Sequence, residues 1–266
     1  MNHAVKLIGV SHVYVSEQQA LLAVENIDLS IEPGEFVSFV GPSGCGKTTI
    51  LSILAGLIKP SQGSVSIFNQ EISGPSNRMG YMLQHDYLFP WRTILNNALI
   101  GLEIMKQLNA ETKSHTMYLL NEMGLSETFH LYPDQLSGGM RQRVALVRTL
   151  ATQPDILLLD EPFSALDYQT KLKLEDLVFE TLKTHNKTAI LVTHDISEAV
   201  AMSDRVVILN RNPGRIHKII KIPDAIRSML PFQTREEEDF RRLFNEIWHE
   251  LENIGDKGDR FDAEKF

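Results

Sequence analysis

Gly41-Pro42-Ser43-Gly44-Cys45-Gly46-Lys47-Thr48 decides how the rest of the chain is read, because it joins an apolar stretch to an apolar helical pattern. Glu35 to Val40 precedes it as a strand; Ile50, Leu51, Ile53, Leu54 and Leu57 follow at helical spacing until Lys59-Pro60. Strand, glycine-rich loop and helix in that order predict an α/β unit, and the pattern G-x-x-x-x-G-K-[ST] gives the unit a chemistry. Glycines let successive backbone N–H groups turn inward as an anion nest, to which the helix start adds its positive end. Lys47 is then placed to reach β and γ phosphates, and the Thr48 hydroxyl to bind Mg²⁺. Gly41, Pro42, Ser43, Gly44, Cys45, Gly46, Lys47, Thr48 and Thr49 are the candidate contacts to a nucleotide. Cys45 is the only cysteine, and within this loop it reads as a small spacer.

Upstream of the loop, Val5, Leu7, Val13 and Val15, then Leu29, Ile31, Phe36 and Phe39, alternate with polar residues around a Pro33-Gly34 turn, which predicts hairpin β structure. Downstream come a β-like piece, Gly63 to Phe68, and a short strand, Met79 to Leu83. Residues 93 to 151 hold helical patterns broken at Gly124 and at Pro133 to Gly139, with no convincing strand. After this helical insertion the order is a strand at Ile156 to Leu159, a helix at Tyr168 to Thr184, a strand at Thr188 to Thr193, a helix at Ser197 to Met202 and a strand at Arg205 to Leu209. Nearly all-apolar strands alternating with helices predict a parallel sheet covered on both faces. Near the end, Phe240, Leu243, Phe244, Ile247, Trp248 and Leu251 form one helical stripe, suited to packing on the parent domain or to binding a partner. Residues 255 to 266 are polar and expected to fray.

Composition narrows the classes. Of 266 residues, 43% are hydrophobic and 23% charged, which is the balance of a globular chain rather than a disordered one. Lys and Arg total 26 against 34 Asp and Glu, a net charge of −8, and this argues against a broad positive face for wrapping nucleic acid. No apolar run approaches the ~20 residues that span a bilayer, and the N-terminus lacks a secretory signal pattern. The cytosol is the expected compartment.

A second signal is Ile156-Leu-Leu-Leu159-Asp160-Glu161-Pro162, an apolar strand ending in two carboxylates. Ligands of doubly wound sheets sit beyond such strand ends. Asp160 suits Mg²⁺, which takes few protein carboxylates and keeps waters, while Glu161 suits a proton acceptor for an attacking water. An acidic pair there can also be a plain loop or capping feature. The third signal, Leu136-Ser137-Gly138-Gly139-Met140-Arg141-Gln142, precedes the helix Val144 to Leu150 and reads either as a second anion site or as a capped helix with glycines.

Taken in order with the phosphate loop, Gln84, Leu136 to Gln142, Asp160-Glu161, Ser164 to Asp167 and His194 make the chain resemble ATP-binding cassette (ABC) transporter ATPases over about residues 5 to 215. The resemblance implies an α/β fold with a P-loop NTPase (RecA-like) core, an antiparallel β subdomain and an inserted α-helical subdomain. It implies a nucleotide-binding domain over 1–222, with the insertion at about 88–150, followed by a C-terminal extension, 223–266, whose amphipathic helix covers about 235–254. It also implies a head-to-tail homodimer in which ATP on one phosphate loop is closed over by Ser137 and Gly139 of the other copy, with Gly138 and Gln142 also among the nucleotide-binding residues. Tyr14 matches the aromatic that stacks on adenine, though it could simply pack in the hairpin. Gln84 matches the residue that senses Mg²⁺ and γ-phosphate, His194 the switch histidine, and Asp167 the loop linking the two sites.

Leu88-Phe89-Pro90-Trp91-Arg92-Thr93 and Pro231-Phe232 to Arg235 make the chain most similar to importer ATPases of the nitrate, sulfonate and taurine type. That similarity implies membrane permease subunits docking near Gln84 to Trp91, a solute-binding protein reached indirectly, no nucleic-acid partner, and a place at the cytoplasmic face of the membrane. Core packing competes for Phe89 and Trp91. A phosphate-loop kinase of small molecules would explain residues 41 to 48 alone, and a repair or translation ATPase of cassette type would explain every motif.

Overall fold

The computed structural model describes residues 3–17 and 19–263, with side chains as far as Ile254. In chain order the elements are β1 (Val5–Val15), β2 (Ala20–Ile31), β3 (Phe36–Val40), α1 (Lys47–Leu54), β4 (Gln62–Ile67), β5 (Gln70–Glu71), β6 (Met79–Met82), α2 (Ile94–Ile104), α3 (Ala110–Glu122), α4 (Gly138–Leu150) and β7 (Ile156–Asp160). There follow α5 (Tyr168–Thr184), β8 (Thr188–Val192), α6 (Ile196–Met202), β9 (Arg205–Asn210), β10 (Arg215–Lys221), α7 (Asp224–Arg227), α8 (Pro231–Thr234) and α9 (Glu238–Ala263). They divide into two compact units, one running to Ser76 and resuming at Glu175, the other Asn77–Leu174.

The first unit contains an antiparallel sheet in the order β2-β1-β4-β5 and the strands β10-β9-β3-β8. β3 pairs in parallel with β8 and β9, and β10 runs antiparallel along β9. Every residue of β3 and β8 is buried, as expected of parallel strands covered on both faces. The β2–β3 turn is the expected Pro33-Gly34, where Gly34 has φ 78 and its N–H donates to Thr188 Oγ1 at 3.0 Å.

Several expected boundaries move; α4 starts at Gly138 rather than at the expected Val144, because Ser137 caps the chain there. α1 stops at Leu54, not beyond Leu57: Gly56 turns left-handed at φ 71 and leaves Leu57 56% exposed. The C-terminal helix starts at Glu238 rather than about 235, because Arg235 is spent on the preceding turn, donating to Pro231 O at 2.6 Å and to the buried Glu175 carboxylate at 2.5 Å. It also continues to Ala263, past the expected end at about 254 and through much of the polar tail; residues 264–266 lie outside the described residues. Phe240, Leu243 and Ile247 are buried as the stripe requires, with α9 packed on α6 and β9. β10 was not anticipated.

In the second unit β6 pairs in parallel with the fully buried β7, and α4 packs against α2, α3 and β6. Between residues 93 and 151 the described residues contain helix and turn, with no strand. Asn97 is fully buried and pins the preceding loop, its amide donating to Phe89 O, Arg92 O and Thr93 O while its carbonyl accepts from Phe89 N–H at 2.7 Å.

Candidate nucleotide site

The phosphate loop lies where β3 ends. Gly46 caps α1 in the left-handed conformation, φ 88, and no side chain caps that helix start, so its first N–H groups face outward as the donors of an anion seat. Lys47 Nζ donates to Gly41 O at 2.7 Å and Pro42 O at 3.1 Å, which folds the ammonium back over the loop's own carbonyls. Thr48 is exposed beside it. Cys45 is buried; burial pushes its thiol up, with the Lys47 ammonium pulling partly the other way, an environment that disfavours the thiolate.

The loop is held by close backbone approaches. A Cβ at Gly46 would stand 2.3 Å from Val24 Cγ1 of β2, and one at Gly41 would stand 2.7 Å from Leu209 O of β9. Gly214, in the β9–β10 turn, faces Cys45 O, which a Cβ would meet at 2.2 Å. Gly214 also exchanges backbone hydrogen bonds with β2, its N–H to Ala23 O and its carbonyl from Glu25 N–H. Sequence reading missed Gly214: the Asn212-Pro213-Gly214 run signals a turn, but nothing local says what that turn touches.

Tyr14 sits on β1, 44% exposed, with its hydroxyl 3.3 Å from Thr49 Oγ1 and its ring edge-on to His12. Its ring is therefore presented at the head of α1. His194 is exposed in the short loop after β8. That loop is locked beneath it: Thr193 Oγ1 donates to Glu198 Oε2 at 2.5 Å, and Asp195 caps α6 through Ser197 N–H at 2.7 Å.

The second unit holds the carboxylates. Asp160, 2% exposed, ends β7. Glu161 follows with φ 50, a left-handed conformation that a non-glycine residue adopts only under constraint, and its Oε2 accepts from Gln84 Nε2 at 3.1 Å. Ser137 caps α4, accepting from Met140 N–H at 3.3 Å, and both Ser137 and Gly138 are exposed. Gly139 is packed, since a Cβ there would lie 3.0 Å from Ala165 O.

Gln142 departs from expectation. Instead of facing a nucleotide it is 4% exposed, and both ends of its amide are used within its own unit, on Glu161 O at 3.0 Å and Ala165 N–H at 2.9 Å. Asp167, by contrast, is solvent-facing; hydrogen bonds from Thr170, with the Arg143 guanidinium adding to them, hold its carboxyl below the usual range.

Asp86 and Arg148 also escaped the sequence reading. Arg141 Nε donates to Asp86 Oδ2 at 3.0 Å, and Arg148 donates to Asp86 O at 2.7 Å and Tyr87 O at 2.9 Å, fastening the segment after Gln84 to α4. Desolvation pulls the Arg148 guanidinium down, with Asp86 opposing it. Beyond this clamp Tyr87 and Trp91 are 60% and 72% exposed.

Thr48 in the first unit, and Asp160 and Gln84 in the second, each carry an oxygen of the hard kind that Mg²⁺ takes alongside phosphates. Among the described residues no three His, Cys, Asp or Glu side chains form a metal cage; the candidates are the hard oxygens of Thr48, Asp160 and Gln84, and Mg²⁺ characteristically relies on one or two carboxylates, waters and substrate oxygens. No described helix is long and apolar enough to cross a membrane.

A buried parallel strand, a glycine loop closed over its own lysine, and carboxylates at a second strand end define a phosphate-loop nucleotide-binding protein of the α/β class. Comparison with known proteins makes this particular. The family described as ABC transporter matches residues 24–164, and an ABC transporter ATP-binding protein of Bacillus subtilis, YtlC, is 55% identical over 92% of this chain and 94% of its own length. The chain belongs to the ABC transporter family and is one of its ATPases. The aliphatic sulfonates import ATP-binding protein SsuB of Bacillus subtilis is 39% identical, covering 91% of this chain and 92% of SsuB. The nitrate import ATP-binding protein NrtD of Synechocystis is 38% identical over 82% of each. Among solved structures, a dimeric post-hydrolysis state of the ATP-binding cassette MJ0796 bound to ADP and Pi superposes with TM-score 0.75 at 33% identity, covering 82% of this chain and 99% of that one.

Proposed function

We propose that this chain is the ATP-hydrolysing subunit of an importer for a small anion or a thiamine-precursor pyrimidine, working as a homodimer against separate membrane permeases at the cytoplasmic face of the membrane. Residues 1–222 form the cassette, with its helical insertion at about 88–150, and 223–266 an extension. The observation that carries the ATP assignment is the start of α1, where the left-handed Gly46 leaves the first turn without a side-chain cap and Lys47 lies over the loop. Import relatives matched over more than 80% of their length support the transport assignment.

Gly41 to Thr49 cradle the phosphates and Tyr14 takes the adenine. Lys47 and His194 bear on the β and γ phosphates as charge develops there. Thr48, Asp160 and Gln84 would hold Mg²⁺, which supplies charge neutralisation on the phosphate oxygens. Glu161 accepts a proton from the water that attacks the γ phosphorus; the bond to the ADP oxygen breaks and inorganic phosphate leaves. Ser137, Gly138 and Gly139 of the second copy close over the same nucleotide. Tyr87 and Trp91, exposed beyond the Asp86 clamp, offer the permease an apolar seat. The solute-binding protein is reached only through the permease.

Incubation of the purified chain with ATP and Mg²⁺ should release free phosphate. A phosphorylated small-molecule product would establish a kinase instead, and stimulation by nucleic acid at physiological salt a repair or translation role. Co-purification from membranes with a permease supports the importer, and its consistent absence contradicts it.

A further inference from the structure

Gln142 lies about one turn into α4, and its amide ties that helix to the turn after β7. Nε2 donates to Glu161 O at 3.0 Å and reaches Ser164 Oγ at 3.4 Å, while Oε1 accepts from Ala165 N–H at 2.9 Å. A side-chain amide has a donor end and an acceptor end, so this pair fixes the direction of the turn as well as its distance. The same carbonyl accepts from Ser164 Oγ at 3.0 Å. Gly139, at the head of α4, packs closely on Ala165 O, which an added Cβ would meet at 3.0 Å. What these contacts hold is Glu161 in its left-handed conformation, φ 50. A strained residue of this kind persists because its neighbours over-determine it.

We propose that Gln142 is a positioning residue for hydrolysis: by holding the Glu161 backbone it aims the catalytic carboxylate, and it makes that carboxylate one piece with the helix that presents Ser137 to Gly139. The inference rests on the role given to Glu161 above. In a head-to-tail pair, α4 and Glu161 of one protomer serve different nucleotides, so the bridge makes the seating of one helix a condition for chemistry at the other site.

Gln142→Met keeps the volume and removes all three of its hydrogen-bond contacts. Steady-state hydrolysis by the full chain should show kcat lowered about tenfold or more, with KM for ATP within about twofold. Placed on Glu161→Gln, the same substitution should change the residual rate by less than about twofold, because the group it aims is already gone. An unchanged kcat in Gln142→Met while Glu161→Gln is inactive refutes the bridge alone, as does a raised KM at unchanged kcat, which would put Gln142 at the nucleotide. Normal turnover by Glu161→Gln refutes the underlying role of Glu161. Should Gln142→Met fail to fold, Ser164→Ala at its exposed position removes one bond to the same carbonyl; a kcat lowered about two- to threefold at constant KM supports the proposal, and a wild-type kcat overturns it.

Discussion

Two helices of this chain carry glycine at their N-terminal ends, and their starts are built differently. α1 starts from the left-handed Gly46 with no side-chain cap, whereas α4 starts from Ser137, whose hydroxyl accepts Met140 N–H at 3.3 Å. α3 and α6 go further than α4, each capped at two N–H groups by Asn109 or Asp195. An uncapped helix start leaves its first N–H donors to water or to an anion, as at α7 and α8 too, and at α1 it is the glycine loop before it that makes the anion reading legible in the local sequence. A serine-capped start satisfies part of that need itself, and α4 taken alone reads as an ordinary helix. On the proposed function, its exposed Ser137 and Gly138 act on the nucleotide of a second protomer.

The contrast can be broken by substitution. Lys47→Ala should remove the cation over the α1 seat and lower turnover ~100-fold or more, with ATP binding weakened alongside; phosphate release near the wild-type rate would show that the loop is not the seat. Ser137→Ala should lower turnover about tenfold while leaving ATP affinity of the separated protomer unchanged, and should cost about 1 kcal/mol through the lost cap. Equal losses of monomer affinity in both variants would erase the distinction between the two helices. Gly214→Ala introduces a methyl group where Cys45 O stands 2.2 Å away, so the α1 loop must shift and KM for ATP should rise several-fold, roughly 1 kcal/mol of binding.

The smallest effect is expected on α9. Lys218 Nζ donates to Glu246 and Glu250 at 2.9 and 2.8 Å, and His217 pairs with Glu250 at 2.9 Å. These partners, Lys218 first, hold the Glu250 carboxyl below its usual value. A carboxyl lowered in the folded state contributes stability above about pH 4.5 that is lost as pH falls through its folded value. Glu250→Gln should therefore lower the melting temperature by about 1 °C or less at neutral pH and by less at pH 3, an exposed pair being worth little. An equal shift at both values would mean that packing, not charge, is responsible.

What could be read in the sequence follows the same division between local and distant causes. The phosphate loop, the nearly all-apolar β7 and β8 and the limits of α5 depend on near neighbours and were legible. β10 was not: in Arg215-Ile-His-Lys-Ile-Ile-Lys221 the charges suit an edge strand whose Lys218 and His217 are answered by α9, more than twenty residues on. The fold of the glycine loop against Gly214 and the turning of Gln142 inward to Glu161 likewise arise from residues remote in sequence. Spacing placed Gln142 beside the glycines of α4; only its burial shows which way it faces.

The shared site is tested most directly with Glu161→Gln, which keeps the Gln84 contact geometry and removes the base. Sedimentation of this variant with ATP and Mg²⁺ should show a stable dimer retaining two unhydrolysed nucleotides, reverting to monomer when nucleotide is withdrawn. A variant that binds ATP yet sediments as a monomer at every nucleotide concentration would contradict it.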